Sequence, residues 1–244
     1  MDPSANRGSG GRRWVKRAEQ ATDAFGLVLG LVLVTFVLTS LVSNIGWGSV
    51  LIMMASGATS IVALSSSHSA PRYVHLAIYL SGLSLVLAIV EAISGAYVWL
   101  DLGAVIQVAL LTIATVAMLI RVITSVEVNA RVILGAISVY TILGLLFGFT
   151  YEAVSRVQNT PFFEGVPHLH HGDFLFYSYT TLTTTGYGNL VASGQPGEMI
   201  STFEMLIGQI FLVTLVAGLV SLWRPGERLK QRRAARRGTE TESS

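Results

Sequence analysis

The sequence predicts an all-α membrane protein with six transmembrane helices and one shorter helix that re-enters the membrane. Two observations support this fold class. Hydrophobic residues make up 52% of the chain and charged residues only 12%, whereas soluble domains carry about a quarter charged residues. Six apolar stretches also approach the roughly 20 residues that a helix needs to span a bilayer. The chain has no cysteine, which excludes disulfides and thiolate chemistry.

The six apolar stretches are separated by short polar segments. They are Phe25–Ser43, Trp47–Leu64, Val74–Ile93, Leu102–Ile120, Val132–Tyr151 and Met199–Trp223. The first stretch is long and shows no clear small-residue cleavage site, so we interpret it as a membrane helix and not as a removed signal peptide. Asn44 to Gly46 form a very short connection between the first two, which predicts an antiparallel hairpin.

The distribution of Lys and Arg predicts the orientation in the membrane. With both termini in the cytoplasm, 15 of the 16 basic residues lie inside and only Arg156 lies outside. The positive-inside rule strongly favours this arrangement over its inverse. We therefore expect a multi-pass protein of the cell (plasma or inner) membrane, with the loop between the fifth and sixth spans on the extracellular side.

That extracellular loop contains the run Thr-Thr-Thr-Gly-Tyr-Gly-Asn at residues 183–189. A short helix-like segment, Asp173 to Leu182, precedes it, and the last apolar stretch follows it. Glycine permits the unusual dihedrals that would point successive carbonyls at one axis. The TVGYG loop of K+ channels forms an ion filter of this kind, and residues 184–188 resemble it with Thr in place of Val.

Residues from about Arg131 to Trp223 resemble the pore domain of the K+ channel superfamily, closest to bacterial ion channels with a two-helix pore module. The resemblance implies a six-span subunit whose backbone oxygens bind permeating K+, and no further cofactor. The implied filter residues are Thr184, Thr185, Gly186, Tyr187 and Gly188. It also implies that Phe176 and Tyr177 brace the filter and that Gly208 is a hinge. Asn189 replaces the usual Asp, which removes charge beside the filter.

A ring of carbonyls around an axis requires four filter strands, so a homotetramer is implied. The inner pore is expected to be lined by one face of the last span, at steps of three and four residues. The predicted lining residues are Gln209, Leu212, Val213, Val216 and Val220. For Gln209 a helix-packing hydrogen bond is the alternative. For Gly208 and Gly218 the alternative is close helix packing.

Glu204 is unusual because a carboxyl group inside a membrane span is expensive and often functional. It lies about 140° around the helix from Gln209, so it should face the pore helix, with Tyr179 or Thr183 as a hydroxyl partner. It could tune the filter or serve as a protonated packing residue.

The only histidine cluster, His168, His170 and His171, lies before the pore helix. These imidazoles are a candidate pH or metal site at the outer mouth, and a solvated loop with chance histidines is the alternative.

These predictions divide the chain into four segments. Residues 1–24 form a basic cytoplasmic N-terminus, 25–127 a four-span peripheral domain, 128–223 the pore domain and 224–244 a basic tail. The basic termini could bind anionic lipid or simply enforce topology. No segment suggests nucleic-acid or nucleotide binding.

The fourth span contains no Lys or Arg, and Arg121 stands alone at its end. Steep voltage gating needs several charges that move through the field. We therefore expect that this protein is not steeply gated by voltage.

The sequence therefore predicts a K+-selective channel that conducts passively and is not an enzyme. A secondary transporter would show paired broken helices or inverted repeats, and neither is visible. A non-conducting accessory subunit and a weakly selective cation channel are the remaining alternatives.

Overall fold

The computed structural model describes residues 25–39, 41–42, 47–67, 71–95, 98–125, 130–158, 160–166 and 169–222. Several of the sequence predictions lie outside the described residues. They concern both basic termini, the connection at 44–46, Trp223 and His168.

Within the described residues the chain folds into seven helices. They are α1 (Phe25–Thr39), α2 (Gly48–Ser66), α3 (Pro71–Ser94), α4 (Val98–Ile123), α5 (Ala130–Val157), α6 (His171–Leu182) and α7 (Gly197–Leu222). Each predicted apolar stretch corresponds to one helix. The predicted short helix is α6, which begins two residues earlier than expected because the helix already includes His171 and Gly172.

Five of the helices, α2 to α5 and α7, are long and apolar enough to cross a membrane. The described part of the first predicted span is a shorter apolar helix, α1. The structure therefore supports a helical membrane protein with five such helices, and the sixth span stays a prediction.

Helix α5 continues six residues beyond the predicted end at Tyr151, to Val157. The extra turns carry Glu152 and Arg156, whose side chains form an i,i+4 ion pair at 2.7 Å. Because hydropathy falls at these charged residues, the apolar pattern alone underestimates the helix. The extension brings both charges beside the start of α6.

Helices α1 to α4, the peripheral helices, pack against the segment α5 to α7, which is predicted to form the pore and is called the pore segment. Helices α2, α3 and α4 contact one another, and α4 also packs along α5. The start of α1 reaches α5, where the Ser138 hydroxyl donates to the carbonyl oxygen of Phe25 (3.1 Å). Further along, the ring of Phe36 meets that of Tyr179 edge-on, with 5.7 Å between centroids. Helix α1 therefore contacts both α5 and the pore helix α6.

Candidate functional site

A capping interaction begins the pore helix α6. The Asp173 carboxylate accepts a hydrogen bond from the backbone N–H of His170 (2.9 Å), and the backbone N–H of Asp173 donates to the His170 carbonyl (3.0 Å). This reciprocal arrangement satisfies N–H groups that a helix start otherwise leaves unpaired. Asp173 is therefore the residue that sets where α6 begins.

Two glycines on α5 allow α6 to approach closely. A Cβ at Gly144 would lie 2.4 Å from the Tyr179 ring, and one at Gly148 would lie 3.2 Å from the Leu175 Cα. Sequence reasoning missed this contact. Its signal is the Gly-Leu-Leu-Phe-Gly run at 144–148, since small residues four apart let membrane helices pack backbone to backbone.

The loop after α6 has an alternating backbone conformation. The φ angle is positive at Thr184 (56°), Gly186 (51°) and Gly188 (76°), and not at the residues between them. In a β-strand successive peptide units point to opposite sides, and a reversal of φ at every second residue turns them towards one side instead. Positive φ is easy for glycine but rare for a β-branched residue such as Thr184.

Hydrogen bonds tie the loop to the last turn of α6. The carbonyl oxygen of Thr180 accepts from the backbone N–H groups of Thr185 (2.8 Å) and Gly186 (3.1 Å). The N–H of Thr184 donates to the carbonyl oxygen of Thr181 (2.9 Å). The backbone of Thr180, not its side chain, therefore holds the loop.

Two neighbouring helices support the end of α6 at Leu182. The Tyr140 hydroxyl of α5 donates to the Leu182 carbonyl oxygen (3.1 Å). A Cβ at Gly208 of α7 would lie only 2.4 Å from that same oxygen. Gly208 thus permits close packing of α7 on the pore helix, the alternative to a hinge, and α7 runs without interruption through it.

Gln209 makes a contact that sequence reasoning left open. Its side-chain amide donates to the Thr184 hydroxyl (2.9 Å). The hydrogen bond joins the predicted pore-lining face of α7 to the first residue of the filter run. It also helps to hold Thr184 in its unfavourable backbone conformation, since such residues persist only where the surroundings determine them.

Phe176 and Tyr177 contact different parts of the site. The Phe176 ring stacks on the Tyr187 ring, with centroids 5.8 Å apart. Tyr177 packs edge-on against Tyr151 (5.0 Å), and its hydroxyl lies 2.8 Å from that of Ser201. Phe176 therefore touches the filter run directly, whereas Tyr177 links the pore helix to α5 and α7.

Glu204 faces the pore helix, as its position on α7 predicts, but its predicted partners were wrong. Its carboxyl oxygens lie 2.5 Å from the hydroxyls of Tyr151 and Ser178, not beside Tyr179 or Thr183. The Tyr179 hydroxyl instead donates to the carbonyl oxygen of Thr141 (2.7 Å), and the Thr183 hydroxyl donates to that of Tyr179 (2.7 Å). The Glu204 side chain is completely buried.

The described histidines of the outer loop join two separate pairs. His171 lies 2.7 Å from the Glu152 carboxylate, to which Arg156 also donates, and His170 lies 3.5 Å from Asp173. Burial lowers the pKa of His171, but the charge of Glu152 and its hydrogen bond together outweigh burial and leave that pKa raised. In the part of the chain that the structure describes, no three His, Cys, Asp or Glu side chains could hold a metal ion.

The filter run and much of α7 lie on the surface of the single chain. The filter run, residues 184–188, and its two neighbours Thr183 and Asn189 are all exposed, and Asn189 makes no side-chain hydrogen bond to another described residue. The predicted pore-lining residues of α7 are likewise exposed: Gln209, Leu212, Val213, Val216 and Val220. Other apolar residues of α7, among them Phe203 and Ile210, are exposed as well.

Comparison with known families relates this segment to one class of protein. Residues 135–224 match a family model described as "Ion channel". The match begins within α5 and ends just after α7, so it covers the glycine contact, the pore helix, the filter run and Glu204. The comparisons with curated proteins and with solved structures found no match. The site therefore lies in a segment of ion-channel type within a helical membrane protein.

Proposed function

We propose that this protein is a K+-selective channel that conducts passively through a pore shared by four copies. The observation that carries the proposal is the alternation of φ along residues 184–188. A K+ filter replaces the water around the ion with backbone carbonyl oxygens. Alternating φ is the backbone pattern that turns successive carbonyls towards a common side, and the pore helix and Gln209 hold the run in this form. The K+ ligands are the oxygens of Thr184, Thr185, Gly186, Tyr187 and Gly188.

The exposed position of the filter run supports the tetramer. One chain supplies only one wall of a pore, because residues 183–189 face outward from it. The exposed face of α7 continues this surface along the membrane. Closure by rotation around an axis would bring four such surfaces together and leave the other faces of the helices towards lipid.

The proposed channel is not steeply gated by voltage. Arg121 is the only basic residue of α4, and its guanidinium lies over the ring of Phe25, 4.9 Å from the ring centroid. A single charge at the end of a helix crosses little of the field, so it supplies much less than the ~2.3 kcal/mol per 100 mV of a full crossing. Patch recording in symmetric K+ tests this, and a steep sigmoidal open-probability curve would contradict it.

Flux from liposomes that contain the purified protein tests the selectivity. We expect K+ and Rb+ to leave and Na+ and Li+ to be retained. Gly186→Ala should abolish K+ flux, because its φ of 51° disfavours a Cβ although the space around it is open. The matched control is Gly82→Ala, at an equally open glycine whose φ is not positive, which should leave flux unchanged.

Other results would favour the alternatives. Equal Na+ and K+ flux would indicate a weakly selective cation channel. A tetramer without any flux would indicate an accessory subunit. A monodisperse monomer in lipid would remove the basis of the proposal.

A further inference from the structure

Glu204 lies in a buried group that makes three close oxygen–oxygen contacts but contains only two hydroxyl hydrogens. Its Oε2 lies 2.5 Å from the Tyr151 hydroxyl, and its Oε1 lies 2.5 Å from the Ser178 hydroxyl. Ser178 Oγ also lies 2.7 Å from the carbonyl oxygen of Gly144. Glu204 and Ser178 are both fully buried, so each of these three contacts needs a hydrogen from within the group.

Counting hydrogens shows which one is missing. Tyrosine and serine hydroxyls supply one hydrogen each, and an ionised carboxylate or a carbonyl supplies none. With Glu204 ionised, two hydrogens would serve three contacts, and one oxygen pair would face each other without a hydrogen. A proton on Oε1 completes the group: Glu204 donates to Ser178, and Ser178 donates to Gly144.

We infer that Glu204 is a neutral carboxylic acid that acts as both donor and acceptor where three helices meet. It accepts from Tyr151 of α5 and donates to Ser178 of the pore helix, which in turn donates to α5 at Gly144. The surroundings agree with this assignment, because its oxygens contact uncharged hydroxyls, and an isolated carboxylate is very costly in an apolar membrane interior.

The group acts on the filter through the pore helix. Ser178 precedes by two residues Thr180, whose carbonyl oxygen holds the N–H groups of Thr185 and Gly186. By fixing the rotation and depth of α6, Glu204 positions that carbonyl. Glu204 is therefore a positioning residue, and only this consequence for conduction rests on the proposed function.

Infrared spectroscopy tests the protonation state without any need for conduction. Wild-type protein labelled with ¹³C-glutamate at neutral pH should show the carbonyl stretch of a protonated acid, which Glu204→Gln removes. Glu198→Gln is the control, because Glu198 is exposed, and it should change only carboxylate bands. Loss of carboxylate bands alone in Glu204→Gln would overturn the inference.

Flux measurements test the positioning role. A glutamine amide can donate to Ser178 and accept from Tyr151, so Glu204→Gln should keep K+ flux within about twofold. Glu204→Leu, which can do neither, should lose flux about tenfold or more. If both folded variants lost flux equally, the neutral-acid role would be wrong. If the wild type itself conducted no K+, the proposed function would fail while the infrared band still decided the protonation.

Discussion

The peripheral helices and the pore segment use their hydroxyl groups in different ways. In α2, Ser56, Thr59 and Ser60 each donate to a carbonyl one turn earlier in the same helix. In the pore segment some hydroxyls, such as those of Thr150 and Ser201, do the same, but those of Tyr140 and Ser178 donate to a different helix. A serine that bonds within its own helix packs like a small apolar residue, whereas a hydroxyl that reaches another helix fixes how the two are placed.

This difference predicts in which helices a substitution should alter the filter run. Helices α2 to α4 touch mainly through side-chain packing, so a change there should be absorbed locally, although Ser49 donates to Glu91 across α2 and α3 (3.2 Å). In the pore segment α5, α6 and α7 are joined by directional bonds around Glu204 and Leu182. A change there should alter the geometry of the filter run.

The largest effect is expected for a methyl group at Gly208. In Gly208→Ala the added Cβ would meet the Leu182 carbonyl oxygen, a backbone atom that must shift, at a cost of about 1–3 kcal/mol. Gly30→Ala is the matched control, because a Cβ there meets nothing within 4 Å. Thermal unfolding in detergent should show a lower Tm and K+ flux should fall for Gly208→Ala only. Equal Tm values for the two variants would remove the contrast between the regions.

Replacement of a glutamine by leucine should raise stability at Gln107 and lower K+ flux at Gln209. Gln107 of α4 is fully buried, and its amide atoms have no hydrogen-bond partner within the described ranges. Gln107→Leu should therefore raise the free energy of unfolding by about 1 kcal/mol or more, since an unsatisfied buried amide is costly. Gln209→Leu removes the bond to Thr184 and should lower K+ flux several-fold, as such bonds are worth about 1 kcal/mol. Tm and flux of both variants decide it, and a loss of stability in Gln107→Leu would contradict the first half.

The ion pair of His171 and Glu152 should lose its contribution to stability as pH rises. Because Glu152 raises the pKa of His171 against the effect of burial, the pair is fully present below the unfolded value of 6.5 and is lost as pH rises through the folded value. Arg156 opposes and Glu91 reinforces this shift. His171→Gln should therefore lower the free energy of unfolding at pH 6 by roughly 1 kcal/mol, which a lower Tm would report, and progressively less at higher pH. The control is His170→Gln, and a constant difference across pH would contradict the expectation.

The smallest effect is expected at Asn189, which is exposed beside the filter run. Asn189→Asp adds four negative charges to the outer mouth of a tetramer and should raise K+ conductance about twofold at low salt. At 1 M salt the Debye length falls to about 3 Å and the gain should disappear. A gain that salt does not alter would point to a change in the filter itself.

The sequence predicted the helices well because they depend on a local pattern: apolar length located α2 to α5 and α7. Glycine spacing singled out residues 184–188, where φ is positive at every second residue, and their role as an ion filter stays a prediction. The partners of Glu204 could not be predicted, because Tyr151 is 53 residues away in the chain and the helix direction alone does not choose between Ser178 and Tyr179. The partner of His171 could not be predicted for a related reason: Glu152 lies beyond the apolar pattern, so the charged end of α5 was not expected beside it. The close contact at Gly144 and Gly148 has a signal in the sequence, two glycines four residues apart.

The double acceptance by the Thr180 carbonyl has a consequence for hydrogen exchange. Because Thr185 and Gly186 donate to one carbonyl in the last turn of α6, the filter run cannot separate from the helix end unless both of these hydrogen bonds break. Their amide hydrogens should then be protected from exchange to a similar degree, as one cooperative unit. A filter that rearranges without unwinding the pore helix would need to do so above this turn, at Tyr187 and Gly188.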